Sequence, residues 1–337
     1  MEPANPSLPA DDVAAIDRLG TIYKELSAEL SKVIIGQQRV VELLSIALFS
    51  RGHALLMGVP GLAKTLLISS VAKTLDLSFN RIQFTPDLMP ADITGTDIIQ
   101  DDSAGGKRQF EFIRGPVFAN IVLADEINRA TPKTQAALLE AMQEHSVTVG
   151  GETHALSEPY FVLATQNPME QEGTYPLPEA QLDRFMLKIL VDFPTLEELA
   201  EIVGLTTVPQ TSHAGCVANA ETLMGLRAVA QEVPVAQAVR DFALRLVLAT
   251  HPELDQSPEL VRRCVRFGAS PRAAQALIAT SRARALMNGR YNVAFEDIEA
   301  VAPACLRHRI ALSFEGMAQG ETVEGVIAAL LKQLPRG

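Results

Sequence analysis

Between residues 53 and 190 short apolar runs alternate with stretches of helical spacing. "HALLMG", "NIVLADE" and "PYFVLATQNP" are unbroken apolar runs of strand length, each ending in glycine or polar residues. Such runs fit strands buried on both faces. "SFNRIQF" is a strand by composition, and "MLKILVDF" is a fifth. Between them, "KTLLISSVAKTL" and "TPKTQAALLEAMQE" carry apolar residues at helical spacing, the second with Thr131 as N-cap and Pro132 in the first turn. "PEAQLDRF" reads as a short helix. The alternation predicts an α/β fold: a parallel five-stranded sheet with helices on both faces.

Two helices, at about 13–31 and 37–50, precede the alternation. After Pro194 the pattern turns helical. "TLEELAEIV" opens with a capping box, Thr195 to Glu198. Helical stretches follow near 220–232, 235–250, 271–287 and 295–308, with no strand among them. The chain divides into a loose tail (1–12), an α/β domain (13–193) and a smaller all-helical domain (194–337). Two segments exceed plain connections. In 85–118, "QFEFIRG" reads as the return strand of a hairpin with its loop near "DDSAGG". The segment 146–156 reads as a hairpin turning at Gly150–Gly151.

Charge narrows the function. The 337 residues carry a net charge of −11, which disfavours broad binding to nucleic acid or to an anionic membrane. The 146–156 hairpin has no Lys or Arg, and the longer insert offers Lys107, Arg108 and Arg114 beside several acids. No run approaches the ~18 apolar residues of a membrane span, and the first residues lack a signal peptide's basic end and apolar core. Cys216, Cys264 and Cys305 show no metal or disulfide spacing and read as buried structural residues. A cytoplasmic protein is expected.

"GVPGLAKT" (58–65) almost matches the phosphate-binding pattern G-x-x-x-x-G-K-[ST], with Ala63 where glycine belongs. Backbone N–H groups of such a loop, backed by a helix N-terminus, wrap nucleotide phosphates. Lys64 would reach the outer phosphates and the Thr65 hydroxyl would bind Mg²⁺. Alanine fits position 63 if its dihedrals are helical, and not where φ must be positive. "NIVLADEINR" ends a strand in Asp125, suited to hold Mg²⁺ through water, and Glu126, suited to polarise an attacking water. Asn167 in "ATQNP" ends the next strand, where it could orient water or touch the γ-phosphate. Arg184 in "EAQLDRF" could serve a neighbour's γ-phosphate. Arg272, in the first turn after Ser270 and Pro271, opposes the helix dipole, so an anion or an ion-pair partner belongs nearby.

In this order, "GVPGLAKT", "LADEINR", "ATQNP", "LPEAQLDRF" and "GASPRA" resemble the AAA+ ATPases, specifically the MoxR family, over about residues 30–310. The family's loops have alanine before the lysine. The resemblance implies a P-loop AAA+ core with a helical lid, using ATP and Mg²⁺. It implies that Gly58, Pro60, Gly61, Leu62, Ala63, Lys64, Thr65 and Leu66 form Walker A, and Asp125 and Glu126 Walker B. Asn167 matches sensor 1, Arg184 the arginine finger and Arg272 sensor 2, while Ile35 and Gly36 in "VIIGQQ" match the segment near adenine. An arginine finger acting in trans implies a homo-oligomeric ring, expected as a hexamer, and Arg129 could also face a neighbour. Segment 85–118 matches the family's helix-2 insert and 146–156 its hairpin before sensor 1. MoxR relatives are chaperone-like, remodel or mature a protein client, and often pair with a von Willebrand factor A domain protein. The alternatives are a nucleic-acid motor and a nucleotide-gated scaffold with negligible turnover. An aromatic pore loop could use Phe110 and Phe112, which a buried strand face also explains.

Overall fold

The five expected strands form one sheet in the structure, a computed structural model that describes residues 10–59, 61–101, 108–168, 173–207 and 214–336. Two helices come first, α1 (Ala10–Ser31) and α2 (Gln38–Phe49). Then follow β1 (Ala54–Met57), α3 (Lys64–Thr74), β2 (Phe79–Gln83), α4 (Pro90–Thr94), β3 (Gly95–Asp101), β4 (Arg108–Arg114) and β5 (Ile121–Asp125). After them come α5 (Pro132–Glu144), β6 (Ser146–Val149), β7 (Glu152–Ala155), β8 (Phe161–Gln166), α6 (Glu179–Leu182), β9 (Leu187–Leu190) and α7 (Leu196–Thr207). The sheet order is β2-β5-β8-β1-β9. Its four pairings are parallel, with Leu55 opposite Ala164 and Val122 opposite Val162.

Successive side chains alternate between the faces. Leu55, Ile82, Val122, Ala124, Val162 and Ala164 join Leu138, Leu139 and Met142 of α5 in one buried cluster. The intervening Ile121, Leu123, Phe161 and Leu163 are also buried. Helix α3 lies against β5 and buries Leu67, Ile68 and Val71. Burial on both faces explains why β1, β5 and β8 are apolar up to their last one or two residues, and each such buried side chain contributes about 1.5–3 kcal/mol. Parallel strands also bring their carboxyl ends to one edge, so the ends of β1, β5 and β8 lie side by side.

Both inserts are hairpins. β3 pairs with β4 in antiparallel register, Asp97 opposite Phe112 and Ile99 opposite Phe110. The loop at 102–107 lies outside the described residues. β6 pairs with β7 around Gly150 and Gly151, whose φ values of +59° and +87° suit glycine. The hairpins pack on each other. The Phe112 ring stacks on His154 at 3.9 Å between centroids and 13° between planes, and its edge meets Phe118. A Cβ on Gly150 would collide with the Asp97 carboxylate. Phe110 projects beyond this contact and is 76% exposed, so a buried strand face does not account for it.

The chain falls into two compact units: residues 29–41 with 51–220, and residues up to 28 with 42–50 and from 221 onward. Helices α1 and α2 each run from one unit into the other. The capping box forms, with Thr195 N–H donating to Glu198 Oε2 (2.8 Å) and Glu198 N–H to Thr195 Oγ1 (3.3 Å). The helix it begins, α7, groups with the sheet, whereas the sequence reading heads the helical domain with it. Its Glu198 carboxylate rests against Gly36.

The second unit is helical, with α8 (Ala220–Glu232), α9 (Gln237–Leu248), α10 (Glu259–Cys264), α11 (Pro271–Met287), α12 (Phe295–Leu306), α13 (Phe314–Ala318) and α14 (Val323–Gln333). One addition is a short antiparallel ribbon of β10 (Val265–Phe267) and β11 (Ala311–Leu312). Buried Asp297 ties the unit together, accepting from Arg284 (2.6 Å) and Arg290 (2.5 and 2.6 Å). Cys264 and Cys305 are buried, but Cys216 is exposed, which corrects the reading of three buried thiols. Among the described residues no helix is long and apolar enough to cross a membrane. Of the loose tail expected at 1–12, residues 1–9 lie outside the described residues, and 10–12 instead belong to the first turn of α1.

Candidate functional site

The loop after β1 starts in close packing. Gly58 N–H donates to Gln166 O of β8 (3.4 Å), and a Cβ on Gly58 would come within 2.9 Å of Val191 Cβ. Pro60, assigned to the phosphate site on the sequence, lies outside the described residues. Gly61 has φ +85° and open space around it, while Leu62 is buried and anchors the loop. Gln37 Nε2 donates to Leu62 O (3.3 Å), which brings the Ile35–Gly36 segment to the loop, and Gly36 turns at φ +64°.

Ala63 is not helical. It is the N-cap of α3 at φ 53°, ψ 24°, in the left-handed region. That corrects the expectation that helical dihedrals admit alanine here. The fold holds it in a conformation that costs an L-residue about 1–2 kcal/mol, and its carbonyl still accepts the first helical bond, from Leu67 N–H (2.9 Å). Lys64, Thr65 and Leu66 follow in the first turn of α3, whose N–H groups have no partner within the helix and, with the helix dipole, are suited to receive an anion. Half-buried Lys64 donates from Nζ to Gly58 O (2.7 Å), crossing the loop's mouth. Burial lowers its pKa, while Asp125 and Glu126 act in the opposite direction.

The carboxylates stand at the end of β5. Thr165 of β8 donates from Oγ1 to Asp125 Oδ1 (2.6 Å) and accepts from Glu126 N–H (2.8 Å). Arg81 of β2 donates to Asp125 Oδ2 from Nε (3.1 Å) and Nη2 (2.6 Å). Glu126 is itself left-handed, at φ 57°. Its Oε2 accepts from Gln83 Nε2 and from Arg129 Nη1, both at 3.0 Å. The sequence reading missed Arg81, Gln83 and Thr165. Their signal is the position of β2 and β8 beside β5, with Gln83 directly opposite Asp125.

Asn167 is buried just past β8, one residue beyond the bond that joins this strand to Gly58. The structure therefore brings together loop 58–65, Asp125, Glu126 and the strand end at Asn167. Arg184, after α6, donates from Nη1 to Leu139 O of α5 (3.0 Å) beside a cleft of about 300 Å³ that Glu140, Gln143 and Gln181 help to line. Arg272 belongs to the helical unit. It is exposed in the first turn of α11, where its N–H donates to Ser270 Oγ (3.2 Å).

Among the described residues no group of three His, Cys, Asp or Glu side chains could hold a metal. The hydroxyl of Thr65 and the carboxylate of Asp125 are hard oxygen donors, and they suit a Mg²⁺ ion that keeps waters and takes its remaining ligands from phosphate. A strand, a glycine-bearing loop, a helix N-terminus and an acid pair at the end of a neighbouring strand define a P-loop nucleoside triphosphatase. Residues 53–187 match the model of the ATPase family associated with various cellular activities (AAA), and 258–330 that of the AAA lid domain. The chain is 44% identical over 307 residues to Chaperone MoxR1 of Mycobacterium tuberculosis, covering 90% of this chain and 79% of that one. It is 32% identical over 311 residues to Protein MoxR of Paracoccus denitrificans, covering 86% and 89%. The solved structure of a candidate ATPase from Cytophaga hutchinsonii superposes with a TM-score of 0.88 at 40% identity, over 96% of this chain and 97% of that one. The chain belongs to the MoxR family of AAA+ ATPases.

Proposed function

We propose that this chain binds ATP with Mg²⁺ and hydrolyses it between the subunits of a homo-oligomeric ring, a hexamer, to remodel, activate or mature a protein client. The observation that carries the reading is the convergence of the 58–65 loop, Lys64, Asp125 and Glu126 at one sheet edge. Backbone N–H groups of the loop and of α3 hold the phosphates, and Lys64 exchanges Gly58 O for a phosphate oxygen. Thr65 and Asp125 would hold Mg²⁺, which when bound neutralises charge on the phosphoryl oxygens. Glu126 polarises the attacking water, after its bonds to Gln83 and Arg129 loosen. Asn167 orients that water.

Arg184 acts on the nucleotide of the adjacent subunit, and Arg272 brings the helical domain to the phosphates, in cis or in trans. Arg129 is the second candidate for a cross-subunit contact. The α/β core and the helical lid serve as the moving parts, and the paired inserts pass the motion to the client. Chaperone MoxR1 lends its name to the chaperone-like role. A von Willebrand factor A domain partner and a cytoplasmic setting complete the proposal.

The test is ATP turnover per subunit over a wide protein concentration range, with Glu126→Gln and Arg184→Ala beside the parent. Turnover should rise with concentration. Glu126→Gln should lower it about 10²–10⁴-fold while ATP still binds, and Arg184→Ala about 10³-fold. Concentration-independent turnover that Arg184→Ala leaves intact would refute the interface mechanism. ATP binding without turnover in the parent would favour the nucleotide-gated scaffold.

A further inference from the structure

We propose that Arg81 is a positioning residue that takes a cation's place on Asp125 before the nucleotide arrives, and that through Gln83 it ties this place to Glu126. The inference rests on the nucleotide-site reading above. Both carboxylate oxygens of Asp125 are engaged, Oδ1 by Thr165 and Oδ2 by the Arg81 fork. Oδ2 takes both of the Arg81 bonds, so a metal ion, or a water bound to one, that approaches this oxygen competes with the guanidinium.

The same guanidinium donates from Nη2 to Gln83 Oε1 (2.5 Å). That bond fixes which end of the Gln83 amide points away, and its Nε2 then donates to Glu126 Oε2 (3.0 Å). Arg81 and Gln83 are two residues apart on β2 and share a face, with Gln83 opposite Asp125. A continuous chain results: Thr165, Asp125, Arg81, Gln83, Glu126, Arg129. When Arg81 leaves Asp125, Gln83 loses the donor that orients it, and the hold on Glu126 weakens at the moment the metal is seated.

The geometry permits that departure. β2 is an edge strand, and the Arg81 side chain is 47% exposed against 13% for Asp125, so the arginine can swing into solvent while the aspartate stays. A competing account is that Arg81 only guards an open sheet edge against pairing with another strand. The two accounts differ in what they say about Mg²⁺.

The experiment follows binding of a fluorescent, non-hydrolysable ATP analogue to the full chain, first in EDTA and then across a Mg²⁺ titration. Removing a partly exposed bidentate pair in Arg81→Ala should lower the half-saturating Mg²⁺ concentration about fivefold. Binding in EDTA should stay unchanged. Arg81→Gln, which keeps the edge polar, should show the same fall, and Gln83→Leu should leave the midpoint in place. An unmoved midpoint in both Arg81 variants would overturn the inference while leaving the nucleotide site intact. A raised midpoint would overturn it in favour of direct metal–nucleotide binding by Arg81. If the parent does not bind the analogue in EDTA or at any Mg²⁺ concentration, the nucleotide-site reading fails and this inference falls with it, whereas binding that ignores Mg²⁺ overturns this inference alone.

Discussion

Replacing Ala63 by glycine should stabilise the nucleotide-free protein, although it removes a methyl group and introduces the most flexible residue. Ala63 sits at φ 53°, ψ 24°. That conformation costs an L-residue about 1–2 kcal/mol relative to its right-handed basin, and glycine escapes the penalty. Against this stands the larger backbone entropy that glycine loses on folding, about 0.5–1 kcal/mol. The difference favours Ala63→Gly by about 0.5–1 kcal/mol, or an increase of about 1–4 °C in the melting temperature of a unit this size. Ala63→Val should act in the opposite direction, because a branched Cβ crowds the left-handed region further. Gly61→Ala should cost about 0.5–1 kcal/mol at φ +85° by the same difference, despite open space around it. The assay is thermal and urea unfolding of the nucleotide-free chain, with ATP binding measured in parallel. If Ala63→Gly lowers the transition and Ala63→Val leaves it in place, the position is helical in solution and the strain argument is wrong.

The other outcomes follow from packing and charge. Gly58→Ala should destabilise by about 1–3 kcal/mol, since its Cβ would press on Val191, and Val191→Ala should recover part of the loss in a double-mutant cycle. Burial alone would push the Asp297 carboxyl up, but Arg290, the Ala294 N–H and Arg284 outweigh it and hold the pKa below the ordinary range. Its stabilising contribution is therefore complete above about pH 4–5 and fades as pH falls toward the lower folded value, so Asp297→Asn should flatten the acid limb of a stability–pH curve. At neutral pH the same change should cost about 2–3 kcal/mol by urea melts, less than a fully buried pair because Arg284 and Arg290 keep some solvent contact. In native protein a thiol reagent should titrate Cys216 at once. Cys264 and Cys305 should react only after unfolding, since both are buried and burial pushes the Cys305 thiol up to about 11.

The sequence reveals what is periodic or punctuated. β1, β5 and β8 are readable because burial on both faces keeps them apolar up to their last one or two residues. The hairpin at Gly150–Gly151 and the cap at Ser270 are readable because each uses a residue type with one strong local preference. β10 and β11 are not, since three and two residues do not complete a pattern. Helix α14 lies beyond the stretches read from the sequence, yet Thr322 caps it and Val326, Ile327 and Leu330 share its buried side. The loop, the acid pair and the strand end at Asn167 stand out as motifs, whereas Arg81 and Gln83 look like the solvent side of an edge strand. Only the pairing of β2 with β5 shows that they reach the acids. The backbone angle of Ala63 has no side-chain pattern at all, because the surrounding loop imposes it.

The stack of Phe112 on His154 makes the two hairpins one mechanical part with two roots. One root rises from α4 and the other from the end of α5. A load applied at either tip is shared between both roots, and neither hairpin can be lengthened, shortened or re-angled without changing the seat of the other. Inserts exchanged between relatives should therefore travel as a pair, and a single transplanted hairpin would arrive without its counterweight.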